Sequence, residues 1–456
     1  MQTPVSLPRK TRRIILWIYG AALLYYVFKQ VYYALFIEGF PDQIAQLSYA
    51  AHMARFPTLL PDFASMFMCR AKTGADGLTV LTEVSGQLNY LSHPSLYYLV
   101  MNAVCGVRVL PEGGVAMNLM ALRGFNILLS TAAVTLAFYL GFTRLKNRSP
   151  LVHALYAFAI ATLPMLAYIG ASVNSDNLAF LSLVVFFAGL LRYQEDKVDL
   201  ETYLLIGMGF LVGGLSKITT ALMCALALLA VLVMSVIRTR SLKLIWNRYF
   251  LITLPCYLLF LGYELYIHGR FGSWQPSLYN INPEYYYTTS YYVAPEKRVP
   301  MSFLQYIRHF VGGVGYTWSS LYSHIRKVTL IMNNTEWGSV YWISVALATL
   351  SAFVQLIRRK ADRITIPIVF SFLGTLACHF WSNWKGYPIS GYLGAIQARY
   401  YLAMIVPIAY IMCDRIPPLF EKRKTLGRIL AALLLAGWFA GDVVRLLVQY
   451  GFPAIA

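Results

Sequence analysis

Five residues with side chains that can bind phosphate or move a proton lie where apolar stretches of the chain begin or end: Asp42, His93, Asp176, Lys217 and Arg399. A carboxylate in such a place can accept the proton of a hydroxyl group, and cations there can hold a phosphate that water solvates poorly. If the apolar stretches bring these residues to one side of a membrane, they can form a site for group transfer. The sequence around each residue tests that idea.

Asp42 lies in FPDQIAQLSYAAHMARFP (40–57), just after the first apolar run. Asp is favoured at helix N-termini, so Asp42 can be an ordinary helix cap. A carboxylate at the edge of a low-dielectric cavity can also serve as a general base. We predict that Asp42 does both, and that Glu38, one helical turn earlier, shares its environment.

His93 precedes a proline in SHPSLYYLV (92–100). Proline is favoured at the first position of a helix, so a helix is predicted to start here, near the membrane plane. Tyr97, in its first turn, suits contact with a sugar or a lipid headgroup. A histidine in this place can be structural or reactive, and both interpretations stay open.

Asp176 lies in ASVNSDNLAFL (171–181), in a very short turn between two apolar runs, with Asn174 beside it. The sequence N-S-D-N is also typical of a plain turn. A second carboxylate on the same side as Asp42 nevertheless favours a site, and we predict that Asn174 and Asp176 contact the substrate.

Lys217 interrupts the apolar segment GGLSKITTAL (213–222), and Arg399 and Tyr400 begin a late apolar run in GYLGAIQARYYLAMIVP (391–407). An ionisable group at this depth is costly. Either cation could instead reach for lipid headgroups or belong to an interface girdle. We favour phosphate binding by Lys217 and Arg399, with Tyr400 in the same binding site.

The composition indicates which elements hold these residues. Only 12% of the 456 residues are charged, whereas about a quarter are charged in soluble domains. Apolar runs recur along nearly the whole chain, which predicts an all-α polytopic membrane protein with about eleven spans. The first is too long for the core of a signal peptide and is predicted to be retained. The spans are expected near residues 14–37, 119–142, 152–170, 176–192, 202–216, 218–237, 249–267, 339–357, 364–381, 398–414 and 429–449.

The net charge of +19 does not point to nucleic acid, because the basic residues cluster in alternate loops. The six short basic segments contain 60 residues and hold 22 of the 38 Lys and Arg, whereas the two long loops contain 152 residues and hold ten. The positive-inside rule then places the short segments and the N-terminus in the cytoplasm, and the long loops, the five residues and the C-terminus outside.

The first long loop (38–118) contains two stretches, 42–56 and 95–107, that are too short to cross and are predicted to be interfacial helices. The second long loop (268–338) contains YNINPEYYYTTSYY (279–292), which suits either sugar stacking or a membrane-interface belt. The pattern divides the chain into a transmembrane module with its first loop (1–267), the second long loop and C-terminal transmembrane helices (339–456).

In order along the chain, FPDQ (40–43), HPSLYYL (93–99), SVNSDNLAF (172–180), GGLSKITTAL (213–222) and QARYYLAMIVP (397–407) resemble motifs of the bacterial GT-C glycosyltransferases. These membrane enzymes take a sugar from a polyprenyl-phosphate carrier. The resemblance is nearest to a branch with P-D-E, H-P-P-L-Y-Y and V-N-N-D motifs, distantly similar to protein O-mannosyltransferases and aminoarabinose transferases. It covers roughly residues 14–240 and 390–415.

The resemblance implies a GT-C-like bundle with Asp42 as catalytic base. It also implies that Asp176 shapes the acceptor or metal environment and that Lys217 and Arg399 contact the carrier phosphate. Gln43 stands where the branch has Glu, which argues against a metal site that relies on both acids. Mg²⁺ or Mn²⁺ is the candidate divalent cation, and no metal ligand is assigned.

We therefore predict an inverting glycosyltransferase of the bacterial cytoplasmic membrane, active at its outer face. Its partners would be a polyprenyl-phosphate-linked sugar and a glycan, lipid or protein acceptor of the cell envelope. A flippase for lipid-linked sugars is one alternative, and it predicts charges deep in several spans, where the sequence places mainly Lys29. A non-catalytic protein of envelope assembly is the other.

Overall fold

The structure is a computed structural model, which describes residues 8–40, 42–89, 93–242, 246–317, 321–325, 328–332, 335–358, 362–417, 423–440 and 442. The side chain of Glu38, a predicted site residue, lies outside the described part, as do the side chains of residues 316–342.

Six described helices are long and apolar enough to cross a membrane. A seventh candidate span is a pair of helices, Pro150–Ala161 (α5) and Pro164–Ala171 (α6), bent by 49° where Pro164 cannot donate a backbone hydrogen bond. The chain is thus a multi-pass membrane protein, as predicted. The six helices are Arg9–Phe36 (α1), Leu119–Arg144 (α4), Asp176–Gln194 (α7), Ile218–Thr239 (α9), Arg248–Phe271 (α10) and Thr365–Ser390 (α15).

Four further helices coincide with the remaining predicted spans. Three of them have 15, 11 and 16 residues, fewer than the roughly 20 apolar residues that a crossing helix needs. The fourth has 23 residues, of which Ile343–Ile357 form a shorter apolar helix. The predicted count of eleven spans is therefore not confirmed. They are Leu200–Gly214 (α8), Thr335–Ile357 (α14), Ile405–Arg415 (α16), which follows the 3₁₀ helix Ala398–Met404, and Lys424–Phe439 (α17).

The first long loop contains the two predicted short helices and a sheet that the sequence did not predict. The helices are Gln43–Arg55 (α2) and Leu96–Cys105 (α3). The sheet is antiparallel, with the order β2-β3-β5-β4, and rests on α2, where the amide of Cys69 donates to Ser48 Oγ at 2.9 Å. Its strands are Phe67–Thr73 (β2), Leu78–Gln87 (β3), Arg108–Val109 (β4) and Val115–Asn118 (β5).

The second long loop joins the first through a smaller sheet and through side chains. The strand Ile37–Gly39 (β1) pairs with Leu321–Ile325 (β6), which pairs with Val328–Met332 (β7). Asn282 donates to Gln87 across the two loops at 3.0 Å. Three helices complete this loop: Leu278–Ile281 (α11), Pro283–Tyr286 (α12) and Phe303–Thr317 (α13).

The buried apolar residues form two clusters. The larger one fills the helical bundle, where α7 packs against α4 and α8, and α1 packs against α4 and α5. The smaller one lies on the long-loop side and combines Tyr49, Tyr97 and Tyr98 with Tyr263 of α10. The all-α membrane bundle is thus confirmed, and strands are confined to the long loops and the residues next to them in the described part of the chain.

Candidate active site

Four of the five charged residues singled out from the sequence form two ion pairs. Arg399 Nη2 donates to Asp42 Oδ2, and Lys217 Nζ donates to Asp176 Oδ1. We call these the loop-side pairs. The first joins residues 357 positions apart and the second joins residues 41 positions apart, so the fold brings together groups that are remote in sequence.

The ring of Tyr400 links the loop-side pairs. Lys217 Nζ is 5.1 Å from its centroid and Arg399 Cζ is 5.6 Å from it, both within the range of cation–π attraction. Asp176, Lys217, Arg399 and Tyr400 line one small cavity, together with Asn177, Thr220 and apolar side chains. Two cations and an aromatic ring therefore share the wall of one cavity.

Asp42 lies in the N-cap position of α2 without using its carboxylate as a cap. Its carbonyl accepts from the amide of Gln46 at 3.0 Å, and its side chain makes no capping hydrogen bond. Its φ of 59° is left-handed, a conformation that Asp tolerates better than most residues. The carboxylate is directed to Arg399 instead, and its side chain stays 38% exposed.

Asp176 and Lys217 are both buried at helix starts. Asp176 begins α7, where the helix dipole favours a negative charge, and its amide donates to Asn174 Oδ1 at 3.0 Å. Lys217 lies between α8 and α9, and its amide donates to the carbonyl of Gly213 at 2.9 Å. Asn174 thus shapes the turn that presents Asp176.

His93 lies close to the two cations. Burial lowers the pKa of its imidazole well below the usual 6.5, and the positive charges of Lys217 and Arg399 lower it further. The imidazole is therefore neutral at pH 7. Its backbone carbonyl accepts from the hydroxyl of Tyr49 at 2.7 Å, and Tyr49 stacks on Tyr98 with centroids 4.0 Å apart.

Tyr97 lies in the packed core, not in the lining of the cavity. Its side chain is fully buried, and its hydroxyl donates to Asn126 Oδ1 at 2.8 Å. Asn126 also accepts from Asn177 Nδ2 at 2.8 Å, next to Asp176 in α7. Of the nine predicted site residues, the structure gathers Asp42, Asp176, Lys217, Arg399 and Tyr400 at one place and sets Asn174, His93 and Tyr97 around it.

Two tyrosines that the sequence did not single out lie near Asp42. The rings of Tyr291 and Tyr392 meet edge to face with centroids 5.3 Å apart, and Asn89 Nδ2 donates to the hydroxyl of Tyr291 at 2.6 Å. Burial raises the pKa of Tyr291, and the negative charge of Asp42 raises it further. Burial, Tyr291, Tyr400 and Asp42 all raise the pKa of Tyr392. Tyr291 belongs to the tyrosine-rich segment 279–292, and the tyrosine content of that segment is the sequence feature that could have pointed to it.

His379 of α15 supports the wall of the cavity, and no feature of the sequence had indicated it as a site residue. Its ring meets that of Tyr400 with centroids 5.3 Å apart, and its Nδ1 is hydrogen-bonded to the hydroxyl of Tyr401. Its Nε2 is 3.1 Å from the carbonyl of Ala395. These contacts fix the segment that presents Arg399 and Tyr400.

The described acids near the cavity are paired with cations and form no metal-ligand cluster among themselves. Within the described ranges no three His, Cys, Asp or Glu side chains come together in a group that could hold a metal. Asp42 and Asp176 each face a cation. Gln43 accepts from Arg123 Nη2 at 3.1 Å. The site can therefore hold anionic groups with its cations, and it offers one accessible carboxylate beside them.

No family model matches the chain, and no curated protein matches it. Two solved structures of ArnT from Cupriavidus metallidurans are similar to it. The apo structure gives a TM-score of 0.50 at 12% identity, and the one bound to undecaprenyl phosphate gives 0.49 at 12% identity. Each match covers 97% of this chain and 66% of ArnT, so the chain spans about two thirds of that protein. At this identity the apo structure supports the fold alone, a polytopic helical bundle similar to that of ArnT.

Proposed function

We propose that this chain is an inverting glycosyltransferase, which moves a sugar from a polyprenyl-phosphate donor to a glycan, lipid or protein acceptor of the cell envelope. The main observation in its favour is the pair of cations, Lys217 and Arg399, that share one aromatic ring and one cavity beside the exposed carboxylate of Asp42. The GT-C-like fold is consistent with this activity.

The donor phosphate would bind at the loop-side pairs. Arg399 presents a planar fork that suits phosphate oxygens, and the buried Lys217 adds a second positive charge. As the sugar departs, the phosphate gains negative charge in a place from which water is largely excluded, so fixed cations stabilise it strongly. Polyprenyl phosphates, the class to which the undecaprenyl phosphate of the ArnT structure belongs, combine this headgroup with an apolar tail that suits the bilayer.

Phosphate binding would also free the base. Arg399 is shared between Asp42 and the incoming phosphate, so the carboxylate is released when the guanidinium turns to the phosphate. Asp42 then accepts the proton of the acceptor hydroxyl while the hydroxyl oxygen forms a bond to the anomeric carbon. The bond from that carbon to the phosphate oxygen breaks, its electrons leave with the polyprenyl phosphate, and the sugar is inverted.

The acceptor would bind on the tyrosine side of Asp42. The rings of Tyr291 and Tyr392 offer apolar faces that suit a sugar, and they lie next to the base. The segment is fixed to the end of α15, because the amide of Val293 donates to the carbonyl of Ser390 at 2.7 Å and Arg298 Nη1 donates to that of Pro388 at 2.6 Å. This position favours sugar stacking over a membrane-interface belt for Tyr291.

The neutral His93 would act as a hydrogen-bonding group next to the phosphate and would add no charge. The proposed mechanism routes no step through a divalent cation, since Asp42 and Asp176 are paired with cations and Gln43 is bonded to Arg123. We place the reaction at the outer face of the bacterial cytoplasmic membrane, since the cavity lies on the long-loop side and the short loops on the other side carry the excess of Lys and Arg.

The experiment is a mass analysis of cell-envelope glycans from a deletion strain that carries the wild-type chain, Asp42→Asn or Asp62→Asn. Asp62 is a matched control because it is an acid of the same loop whose side chain is 47% exposed, with Arg270 3.9 Å away. We expect one sugar to be lost with the deletion and with Asp42→Asn, and retained with Asp62→Asn. Full glycosylation by Asp42→Asn would contradict the proposal. An unchanged lipid-linked sugar that accumulates without a lost linkage would favour a flippase.

A further inference from the structure

We infer that Arg123 is a positioning residue for Asp42, and that Gln43 belongs to the same device and is not the remnant of a metal site. The inference rests on the proposed function, because it assumes that the carboxylate of Asp42 is the base. Arg123 is in the second turn of α4, and its side chain is almost completely buried. It was not among the residues that the sequence suggested for the site.

Arg123 contacts the chain at three points around Asp42. Its Nη1 donates to the carbonyl of Ala34 at 2.6 Å, near the end of α1. Its Cζ is 4.9 Å from the ring centroid of Phe40. Its Nη2 donates to Gln43 Oε1 at 3.1 Å, in the first turn of α2. The three contacts bracket the segment that connects the two helices, and Asp42 is next to the last of them.

The backbone of Asp42 gains from such support. Its φ of 59° is left-handed, a conformation that costs free energy in a residue other than glycine, although Asp tolerates it better than most. The contacts on either side, to Phe40 and Gln43, hold the two ends of the turn against α4. If they were lost, the turn could relax and the carboxylate would move away from Arg399.

The contact with Arg123 gives Gln43 a role as a hydrogen-bond acceptor, for which a carboxylate is not required. An amide oxygen accepts from a guanidinium as a carboxylate does, but it adds no negative charge next to Asp42. Gln43 thus fills the acceptor place opposite Arg123. Arg123→Lys would keep the positive charge but could not make all three contacts at once, because an ammonium group lacks the planar guanidinium with its several N–H donors.

The test measures two quantities in the full-length protein: the initial rate of sugar transfer in membranes, and the affinity of the purified protein for undecaprenyl phosphate. For Arg123→Lys we expect a rate about 10- to 100-fold lower, because small displacements of a catalytic group cost this much. Carrier affinity should change less than about twofold, since Lys217 and Arg399 remain. Gln43→Ala should also lower the rate, and Gln43→Glu, which keeps an acceptor for Arg123, should lower it less.

The decisive comparison is made in the Asp42→Asn background. If Arg123 acts through Asp42, then Arg123→Lys should cause no further loss of rate once the carboxylate is gone, because the two changes disable one unit. A merely structural role would lower the residual rate again. If the Arg123→Lys protein does not fold, the same comparison is made with Gln43→Ala, alone and combined with Asp42→Asn.

The outcomes separate the inference from the proposed function. If Asp42→Asn transfers sugar at the wild-type rate, the proposed function fails, whatever Arg123→Lys does. If Asp42→Asn is impaired but Arg123→Lys is normal, loses carrier affinity, or lowers the rate further in the Asp42→Asn background, the function stands and the inference is overturned.

Discussion

Two of the regions in which the molecule pairs opposite charges differ in their access to water. Lys29 of α1 and Asp442 form a pair within the bundle, which we call the deep pair, with Nζ and Oδ2 2.6 Å apart and side chains that are 0% and 2% exposed. The hydroxyl of Tyr25 donates to the same carboxylate at 2.8 Å. Of the loop-side pairs, Asp176, Lys217 and Arg399 line a cavity, and the side chain of Asp42 is 38% exposed.

The difference indicates what each kind of pair does. A pair sealed from water, as the deep pair is, cannot exchange partners, and it ties α1 to the chain that follows α17. A pair at a cavity can give up its partner to an anionic ligand. It follows that breaking the deep pair should affect stability alone, whereas breaking the loop-side pairs should also affect binding and transfer. The sealed state of the deep pair also argues against its being part of a translocation path.

The largest effect is expected for Lys217→Met, because it removes a phosphate ligand and leaves the buried Asp176 without its cation. Removing one member of a buried pair typically costs about 3–5 kcal/mol of stability. We expect a lower melting temperature in detergent together with the loss of undecaprenyl phosphate binding. The control is Lys297→Met, at an exposed lysine of the second long loop. Normal carrier binding by Lys217→Met would show that the phosphate does not use this residue.

Lys29→Met should break the deep pair at a similar cost in stability, about 3–5 kcal/mol, because Asp442 stays buried. Transfer per folded molecule should not change. The double variant Lys29→Met/Asp442→Leu should regain much of the stability, since a buried ion pair can often be replaced by apolar side chains. Thermal unfolding and transfer rates of the same samples test this. A loss of transfer at unchanged stability would contradict the division between the two regions.

A pH effect on stability is expected from the first long loop. Burial, and then the charge of Arg55, lowers the pKa of His52 in α2 from the usual 6.5 to about 4, against a smaller raising effect of Asp62. The unfolded chain therefore takes up a proton before the folded one does, and the free energy of unfolding falls as the pH drops from 6.5 towards 4, by about 3 kcal/mol. His93 adds to this in the same direction.

The measurement is the melting temperature in detergent between pH 7.5 and 4.5. His52→Gln should flatten the dependence, whereas His268→Gln, at an exposed histidine of α10, should not. An equally steep dependence in His52→Gln would show that other groups cause it. Because the effect arises in the loop, it should be equally large in Lys29→Met, which separates it from the deep pair.

The smallest effect is expected for Arg399→Lys. The charge remains while the fork is lost, so the affinity for undecaprenyl phosphate should fall about tenfold, or about 1.4 kcal/mol. Arg270→Lys is the matched control, since Arg270 is exposed and 3.9 Å from Asp62. An unchanged affinity in Arg399→Lys would show that the phosphate is held by charge alone.

The charged residues of the candidate site could be predicted from the sequence, because burying a charge is costly and a charge inside an apolar segment therefore stands out. Lys217 and Arg399 interrupt apolar segments, and the distribution of basic loops assigns them to one side of the bundle. Their convergence on Tyr400 agrees with that prediction. The bundle of apolar helices was predictable because apolar runs long enough to cross a membrane recur along the chain.

Contacts that depend on tertiary packing were not predictable. Tyr291 and Tyr392 are separated along the chain and meet only because the second long loop is fixed to the end of α15. The link between Gln43 and Arg123 joins residues 80 positions apart. The sheet of the first long loop was missed because β2 has almost no alternation of buried and exposed residues.

The most direct test of the central claim compares two quantities in Asp42→Asn, with Asp62→Asn as control: carrier affinity and transfer rate. Because the variant leaves Arg399 and Lys217 in place and removes only a competitor for Arg399, it should bind undecaprenyl phosphate at least as tightly as the wild type. Its transfer rate should fall by about 10²- to 10⁴-fold through loss of the base. Undiminished transfer, or a loss of carrier binding equal to the loss of rate, would contradict the assignment of Asp42 as the base beside a phosphate site.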